Sequence, residues 1–381
     1  MVSLNCTPRI SDPGHQKTDD PEISDSGNSS NPNIGLDAPY VFASGADISW
    51  CTEQEADGIK FYDHDGVETD IFALMKGIGM NAIRLRVWND PLTHGYGPWS
   101  DKADVMAKSK RAHEQGLDLM IDFHYSDFFA DPGNQNVPKA WEGMTMEQVK
   151  TALADYTKDV LQALKDEGIY PKWVQVGNET NSGMVMTYGK VHWEKEGTAR
   201  FKDYAAVSNA GYDAVKSVFP DAYVIVHLGG TENPRWFFPD FKAAGGKFDM
   251  IGVSHYPTPD QWDSSAPDAV YSNINAEKWI KEAIKDFNVP VMICETGFDV
   301  WQPALANRVM ADLFNRMKEV EGCHGIFYWE PQVDGNWKPK FYDTLNWAAY
   351  GKGAFTSDGR PTQALEAFGG STSLSIYPSD K

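Results

Sequence analysis

The chain predicts an α/β fold, a (β/α)8 TIM barrel built as a single domain over residues 39–372. Three observations carry that expectation. Eight short apolar, β-branched or aromatic runs recur from Val41 onward. Longer amphipathic stretches separate them, and several end in Gly, a helix C-terminal signal. The 381 residues comfortably hold the ~250 that such a barrel usually needs.

The elements follow in order. The first run, Val41–Ser49, leads into "WCTEQEADG". "TDIFALMKGIG" precedes the second, Asn81–Trp88, and "ADVMAKSKRAHEQG" the third, Leu117–Tyr125. "EQVKTALADYTKDVLQALKDEG" precedes the fourth, Lys172–Glu179, and "RFKDYAAVSNAGYDAVKSVFP" the fifth, Ala222–Leu228. "NPRWFFPDFKAAGGKF", the weakest helical pattern, precedes the sixth, Asp249–Tyr256. "AEKWIKEAIKDFN" leads to the seventh, Val289–Glu295, and "ANRVMADLFNRMKEVEG" to the eighth, Gly325–Pro331. Repeated strand–helix alternation of this kind marks a parallel barrel. An open doubly wound sheet would want a Gly-rich phosphate turn after the first strand, and "SGADIS" followed by "WCTEQEADG" supplies none.

Outside the barrel, residues 1–38 are rich in Asp, Ser, Asn, Gly and Pro. They bury too little apolar surface to offset ordering entropy, so they read as a flexible polar leader. Residues 373–381 read as a C-terminal tail. The net charge of −20 repels polyanions, which argues against nucleic acid as a partner. No apolar run is long enough to span a bilayer, and no signal-peptide core follows Met1, so any signal segment is expected to be absent from this chain. Cys6, Cys51, Cys294 and Cys323 form no CxxC pair, which disfavours a zinc ribbon. Cys294 in "VPVMICE" reads as a buried thiol. Cys6 in "MVSLNC" has the look of a lipidated N-terminal cysteine without the apolar segment that would precede one.

In such barrels chemistry gathers at the C-terminal strand ends. Those ends carry Asp47, then Arg86 and Trp88, then His124, Tyr125 and Asp127. Asn178 and Glu179 end the fourth strand, His255 and Tyr256 the sixth, Glu295 the seventh, Trp329 and Glu330 the eighth. Singly, each has a plain structural reading; together they face one rim. Two carboxyls on opposite sides of a barrel mouth suit a retaining glycosidase, one as nucleophile and the other as acid and then base. Arg86 is positioned to keep a nucleophile ionised, Tyr256 or His255 to orient it, Asn178 to grip a sugar hydroxyl and Trp329 to carry a pyranose face. Metal-dependent hydrolysis would want His-x-His on the first strand, and Gly45-Ala46-Asp47 has no His. "YDHDGVETD" lacks the ligand ladder of a calcium loop and reads as a turn before a helix. Asn178-Glu179-Thr180 is also a glycosylation sequon, a reading at odds with a place in the cleft.

These residues resemble glycoside hydrolase family 53, the endo-β-1,4-galactanases (arabinogalactan endo-β-1,4-galactanases). The likeness rests on "SGADISWCTEQEADGIKFYDHDG", "GMNAIRLRVWNDP", "LDLMIDFHYSDFFADPGNQNVPKAW", "WVQVGNETNSGM", "GVSHYP" and "VMICETGF", spread from about Phe42 to about Thr362. The resemblance implies Glu179 as acid/base and Glu295 as nucleophile. Arg86, His124, Asn178, Tyr256 and Trp329 would line the cleavage site, with Asp47, Trp88 and Asp127 as sugar contacts; His255, beside Tyr256, is expected to bind substrate as well, although the family pattern does not supply it. The resemblance implies a secreted enzyme that cuts the β-1,4-galactan of pectin to galacto-oligosaccharides; an extracellular, cell-surface or periplasmic place, no cofactor, no metal and a monomer are expected beside it. Alternatives are another barrel glycanase acting on mannan, xylan or β-glucan, and a non-catalytic sugar-binding barrel. Departures are His255 where a second Tyr is expected and Phe129 in place of Trp. "ETGFDVWQPALANRVM" also lacks the acidic run of a calcium loop, so no structural calcium is expected. Trp337 and Trp347 belong to a long segment after the eighth strand, which reads either as a cleft wall or as a closing loop.

Overall fold

The computed structural model describes residues 34–257 and 270–369, and its eight principal strands close a parallel barrel in chain order. They are β1 (Ala43–Asp47), β2 (Ala82–Val87), β3 (Asp118–Phe123), β4 (Trp173–Val176), β5 (Tyr223–Gly229), β6 (Met250–Ser254), β7 (Val291–Thr296) and β8 (Cys323–Trp329). The ring closes where Ala43 pairs with Gly325 and Asp47 with Trp329. All eight expected runs are strands. Five are trimmed at both ends; β5 and β7 start later and run one residue further than expected, and β8 starts and ends two residues earlier.

The helices are α1 (Cys51–Ala56), α2 (Ile71–Ile78), α3 (Lys102–Glu114), α4 (Met146–Asp166), α5 (Thr198–Val218), α6 (Pro234–Ala243), α7 (Val270–Phe287) and α8 (Pro303–Lys318). Their starts follow local chemistry. The Asp70 side chain accepts from the backbone N–H of Phe72 and Ala73 to open α2, and Thr145 with Gln148 forms a capping box for α4. The segment with the weakest pattern is α6. Pro234 sits in its first turn, and Phe237, Phe238 and Phe241 are buried, so packing rather than propensity holds it. "YDHDGVETD" is a turn: Asp63 Oδ1 accepts from the N–H of Asp65 at 3.0 Å and of Val67 at 2.9 Å.

Two apolar layers surround the strands' framework. Between strands and helices, residues such as Val149, Leu153, Val160 and Leu164 of α4 are wholly buried, each worth about 1.5–3 kcal/mol. Inside the barrel, Trp173 and Phe327 meet edge to face at 5.9 Å among Met120, Met250 and Met292 and plug the lower half. Polar side chains therefore occupy only the upper half, next to the rim. Cys51, Cys294 and Cys323 are buried free thiols. No helix among the described residues is long and apolar enough to cross a membrane. Residues 1–33 of the leader, with Cys6, and the tail 373–381 lie outside the described residues.

Candidate active site

At the end of β4 the backbone turns sharply. Gly177 takes φ +85°, and a Cβ there would lie 2.5 Å from Thr180 Cγ2, so only glycine serves. Two residues on, Glu179 adopts φ 44°, ψ 54°, a left-handed conformation that costs a non-glycine residue about 1–3 kcal/mol. That turn swings its carboxyl over the barrel mouth. Ser254 Oγ, at the end of β6, donates to Glu179 Oε1 at 2.6 Å, and His227 Nε2 of β5 stands 2.9 Å behind Ser254 Oγ. Burial holds His227 far below the ordinary histidine range, so the ring is neutral. Burial likewise pushes the Glu179 carboxyl up to about 7, and no cation among the described residues touches it.

Glu295 ends β7 and is buried. Arg84 Nη2 lies 3.0 Å from its Oε1, and Tyr256 Oη donates to its Oε2 at 3.0 Å. Burial pushes this carboxyl up to about 8, Arg84 pulls it down, and a charge on Glu179 would raise it. With the pull of Arg84 counted, Glu295 still stands at about 8 and Glu179 at about 7. The carboxyls titrate as a pair, however, and among the described residues the guanidinium that never loses its proton sits on Glu295 and not on Glu179. The pair's negative charge rests on Glu295, and Glu179 keeps its proton.

The expected partner of Glu295, Arg86, is corrected to Arg84. Side chains two apart on a strand share a face, so both arginines of "RLR" enter the barrel, but at different heights. Arg84 takes the centre. It donates to Asp47 Oδ2 and Asp122 Oδ2 at 2.8 Å each, to Asn178 Oδ1 at 2.8 Å and to Gln175 Oε1 at 3.2 Å. Arg86 pairs with Glu330 instead. Its guanidinium carbon is 5.2 Å from the Trp50 ring, 5.3 Å from Trp88 and 4.8 Å from Phe129.

Three other strand-end residues lie at the rim. Asn178 is buried, with its amide nitrogen on Ala130 O at 2.8 Å and its oxygen on Arg84. Tyr256 reaches Glu295, and Trp329 is half-buried, tilted against Trp50 at 5.2 Å and edge-on to Tyr350 at 4.5 Å. Several others are corrected to framework. His124 Nε2 faces Asp122 at 3.0 Å while its Nδ1 accepts from Ala130 N at 2.9 Å, which pins the β3 loop. Asp127 accepts from the N–H of Asp90 and Lys139 and from His94, so it knots two loops together. Asp47, at 0%, and Trp88, at 1% exposure, offer a ligand no surface. His255 points outward, its Nε2 2.9 Å from Asn273 Oδ1 on α7, and only its backbone N–H meets the Glu295 carbonyl. Phe129 fills the space under Trp50, Trp88 and Trp329. Trp337 and Trp347 join the same aromatic cluster.

Arg84, Asp122, Gln175, His227 and Ser254 escaped the sequence reading. Their signal was present: each is a polar residue inside an apolar strand run, and a buried polar group must find a partner. Reading strand ends alone passed over the layer one step below.

A parallel barrel whose mouth holds two carboxyls on opposite strands, Glu295 buried and cation-paired and Glu179 half-buried and not, defines a barrel glycoside hydrolase. The sequence model of Glycosyl hydrolase family 53 matches residues 43–305. An arabinogalactan endo-β-1,4-galactanase from Cellvibrio japonicus is 31% identical over 331 residues, 78% of this chain and 82% of that protein. An endo-β-1,4-galactanase from Bacillus subtilis is 30% identical over 372 residues, 87% of this chain and 80% of that protein. The family 53 catalytic domain of Ignisphaera aggregans superposes with a TM-score of 0.71 at 25% identity, covering 88% of this chain and 98% of its own. The chain belongs to glycosyl hydrolase family 53.

Proposed function

We propose that this protein is a retaining endo-β-1,4-galactanase. The observation that carries the chemistry is the asymmetry of the two carboxyls: Arg84 and Tyr256 hold Glu295, while among the described residues the Glu179 carboxyl meets only the Ser254 hydroxyl. Glu295 Oε attacks the anomeric carbon as the glycosidic C–O bond breaks, and the leaving oxygen takes the Glu179 proton. The covalent glycosyl-enzyme is then opened by water that gives its proton to the Glu179 carboxylate. Trp329 offers an apolar face to the ring held at the cleavage point.

Galactan is the substrate this reading selects, because the Cellvibrio japonicus and Bacillus subtilis relatives are named for it. A polymer of that size is met outside the cytoplasm, where we place the enzyme's action. The test is incubation with linear β-1,4-galactan alongside mannan, xylan and β-glucan, with products followed by size and by NMR of the first-formed anomer. Short galacto-oligosaccharides appearing first as the β-anomer support the reading. An α-anomer overturns retention, and preference for another polymer overturns the substrate.

A further inference from the structure

Glu53 of α1 is 4% exposed, no hydrogen bond holds its carboxyl among the described residues, and its oxygens face a cavity instead of packed protein. A buried polar group left in that condition calls for a ligand or water. The carboxyl lines a cavity of about 190 Å³ together with Tyr96, Trp99, Phe341, Asp57 and Lys340. This cavity opens between α1, the loop after β2 and the segment after β8. Gly97, at φ +82°, lets the Trp99 indole lie against the loop; a Cβ there would come within 2.7 Å of Trp99 Nε1.

The surroundings narrow what fits. Lys340 Nζ bonds Asp57 Oδ1 at 2.5 Å, so the rim cation is committed to that acid and reaches Glu53 as a distant charge without a hydrogen bond. An anion would meet two acids. A cation would meet the positive charges of Arg86, Lys108 and Lys340, all of which bear on Glu53. An apolar guest would leave the carboxyl dry and unpaired. A neutral polyhydroxyl ring satisfies every wall, with a hydroxyl on Glu53 and a C–H face on the aromatic side chains. The volume is below the ~300–1,000 Å³ of drug-sized sites and suits one ring. Burial pushes the Glu53 carboxyl up to about 8, so at neutral pH it both donates and accepts. The aromatic wall is continuous with the cleft: Phe341 packs on Phe128 and Tyr342, and Tyr342 packs on Trp50 beside Trp329.

We propose that this cavity is a second, non-catalytic carbohydrate site, built to seat a single neutral pyranose on Glu53, Tyr96 and Trp99. It goes beyond the cleavage reading and does not rest on the polymer that is cut. The test titrates the full chain with methyl β-galactopyranoside, methyl β-glucopyranoside and methyl β-xylopyranoside, read by saturation-transfer difference NMR. Two variants probe the cavity: Ala56→Phe, which fills it from an exposed helix position, and Trp99→Ala. The expected result is saturable binding that Ala56→Phe abolishes and Trp99→Ala weakens about ten-fold, with hydrolysis of a short chromogenic oligosaccharide unchanged in Ala56→Phe. No saturable binding, or binding intact in Ala56→Phe, overturns it. Failure to cut galactan, with pyranoside binding still sensitive to Ala56→Phe, would sink the functional reading and leave this one standing.

Discussion

Arg84 Nη2 lies 3.0 Å from Glu295 Oε1, and the same nitrogen lies 2.8 Å from Asp122 Oδ2 and from Asn178 Oδ1. One buried guanidinium thus serves the carboxylate at the barrel mouth and the acids beneath it at once. The geometry needs a planar fork, which lysine lacks. Arg84→Lys is expected to lower kcat/KM by about 10–100-fold, the value of a lost charge-assisted hydrogen bond. Arg84→Met takes the cation from Asp122 and leaves Asp47 only the more distant Arg86, 3.9 Å away, and should lose about 3–5 kcal/mol in urea unfolding. Wild-type stability in Arg84→Met would refute the central role.

The two glutamates separate by leaving group. On galactan, Glu179→Gln should lose about 10²–10⁴-fold, because the departing oxygen needs its proton. A 2,4-dinitrophenyl leaving group needs none, so Glu179→Gln should still release a burst of dinitrophenol in stopped-flow. Glu295→Gln should be inactive on both substrates. A burst from Glu295→Gln would exchange the roles.

The pH profile tests the charge assignment. Glu179 must be protonated, and burial raises it to about 7, so activity should fall as pH rises through about 7. The Ser254 hydroxyl favours the ionised form. Its removal in Ser254→Ala should raise the Glu179 pKa and carry the alkaline limb to higher pH. The acid limb reports Glu295 while Glu179 is already protonated, so it should stay in place. Movement of the acid limb alone would contradict the assignment.

Stability toward acid has a separate source in His255. Burial lowers it from 6.5 to about 4, so below 6.5 the unfolded chain binds a proton that the folded chain refuses. Its contribution is complete above 6.5 and is lost as pH falls toward about 4, at most about 3 kcal/mol. His255→Gln should therefore flatten the fall in Tm between about pH 6.5 and 4. An unchanged slope would place the acid sensitivity elsewhere.

Much of the fold could be read from the sequence, because strand runs and helix stripes are local and repeat eight times. The rim residues could be read as well: Glu179, Glu295, Asn178, Tyr256 and Trp329 all gather where strand ends converge. Height within the barrel could not. Arg84 and Arg86 share one strand face and differ by a single pleat, and only the stagger of neighbouring strands decides which meets Glu295. His255 failed for the opposite reason: as a strand-end residue it looks inward, yet its side chain turns out to Asn273 on α7.

The site's own sequon sets a condition on how the enzyme is made. Asn178 is 5% exposed, with its amide pressed between Ala130 and Arg84, but Asn178-Glu179-Thr180 is a complete acceptor for machinery that glycosylates chains before they fold. A glycan added then has nowhere to go when the barrel closes, so every modified copy is lost to folding rather than merely inhibited. Production in a bacterial host avoids that competition. In a eukaryotic secretory host, Thr180 is the position to change, since it touches neither carboxyl and its hydroxyl meets only Tyr204 and the His227 carbonyl.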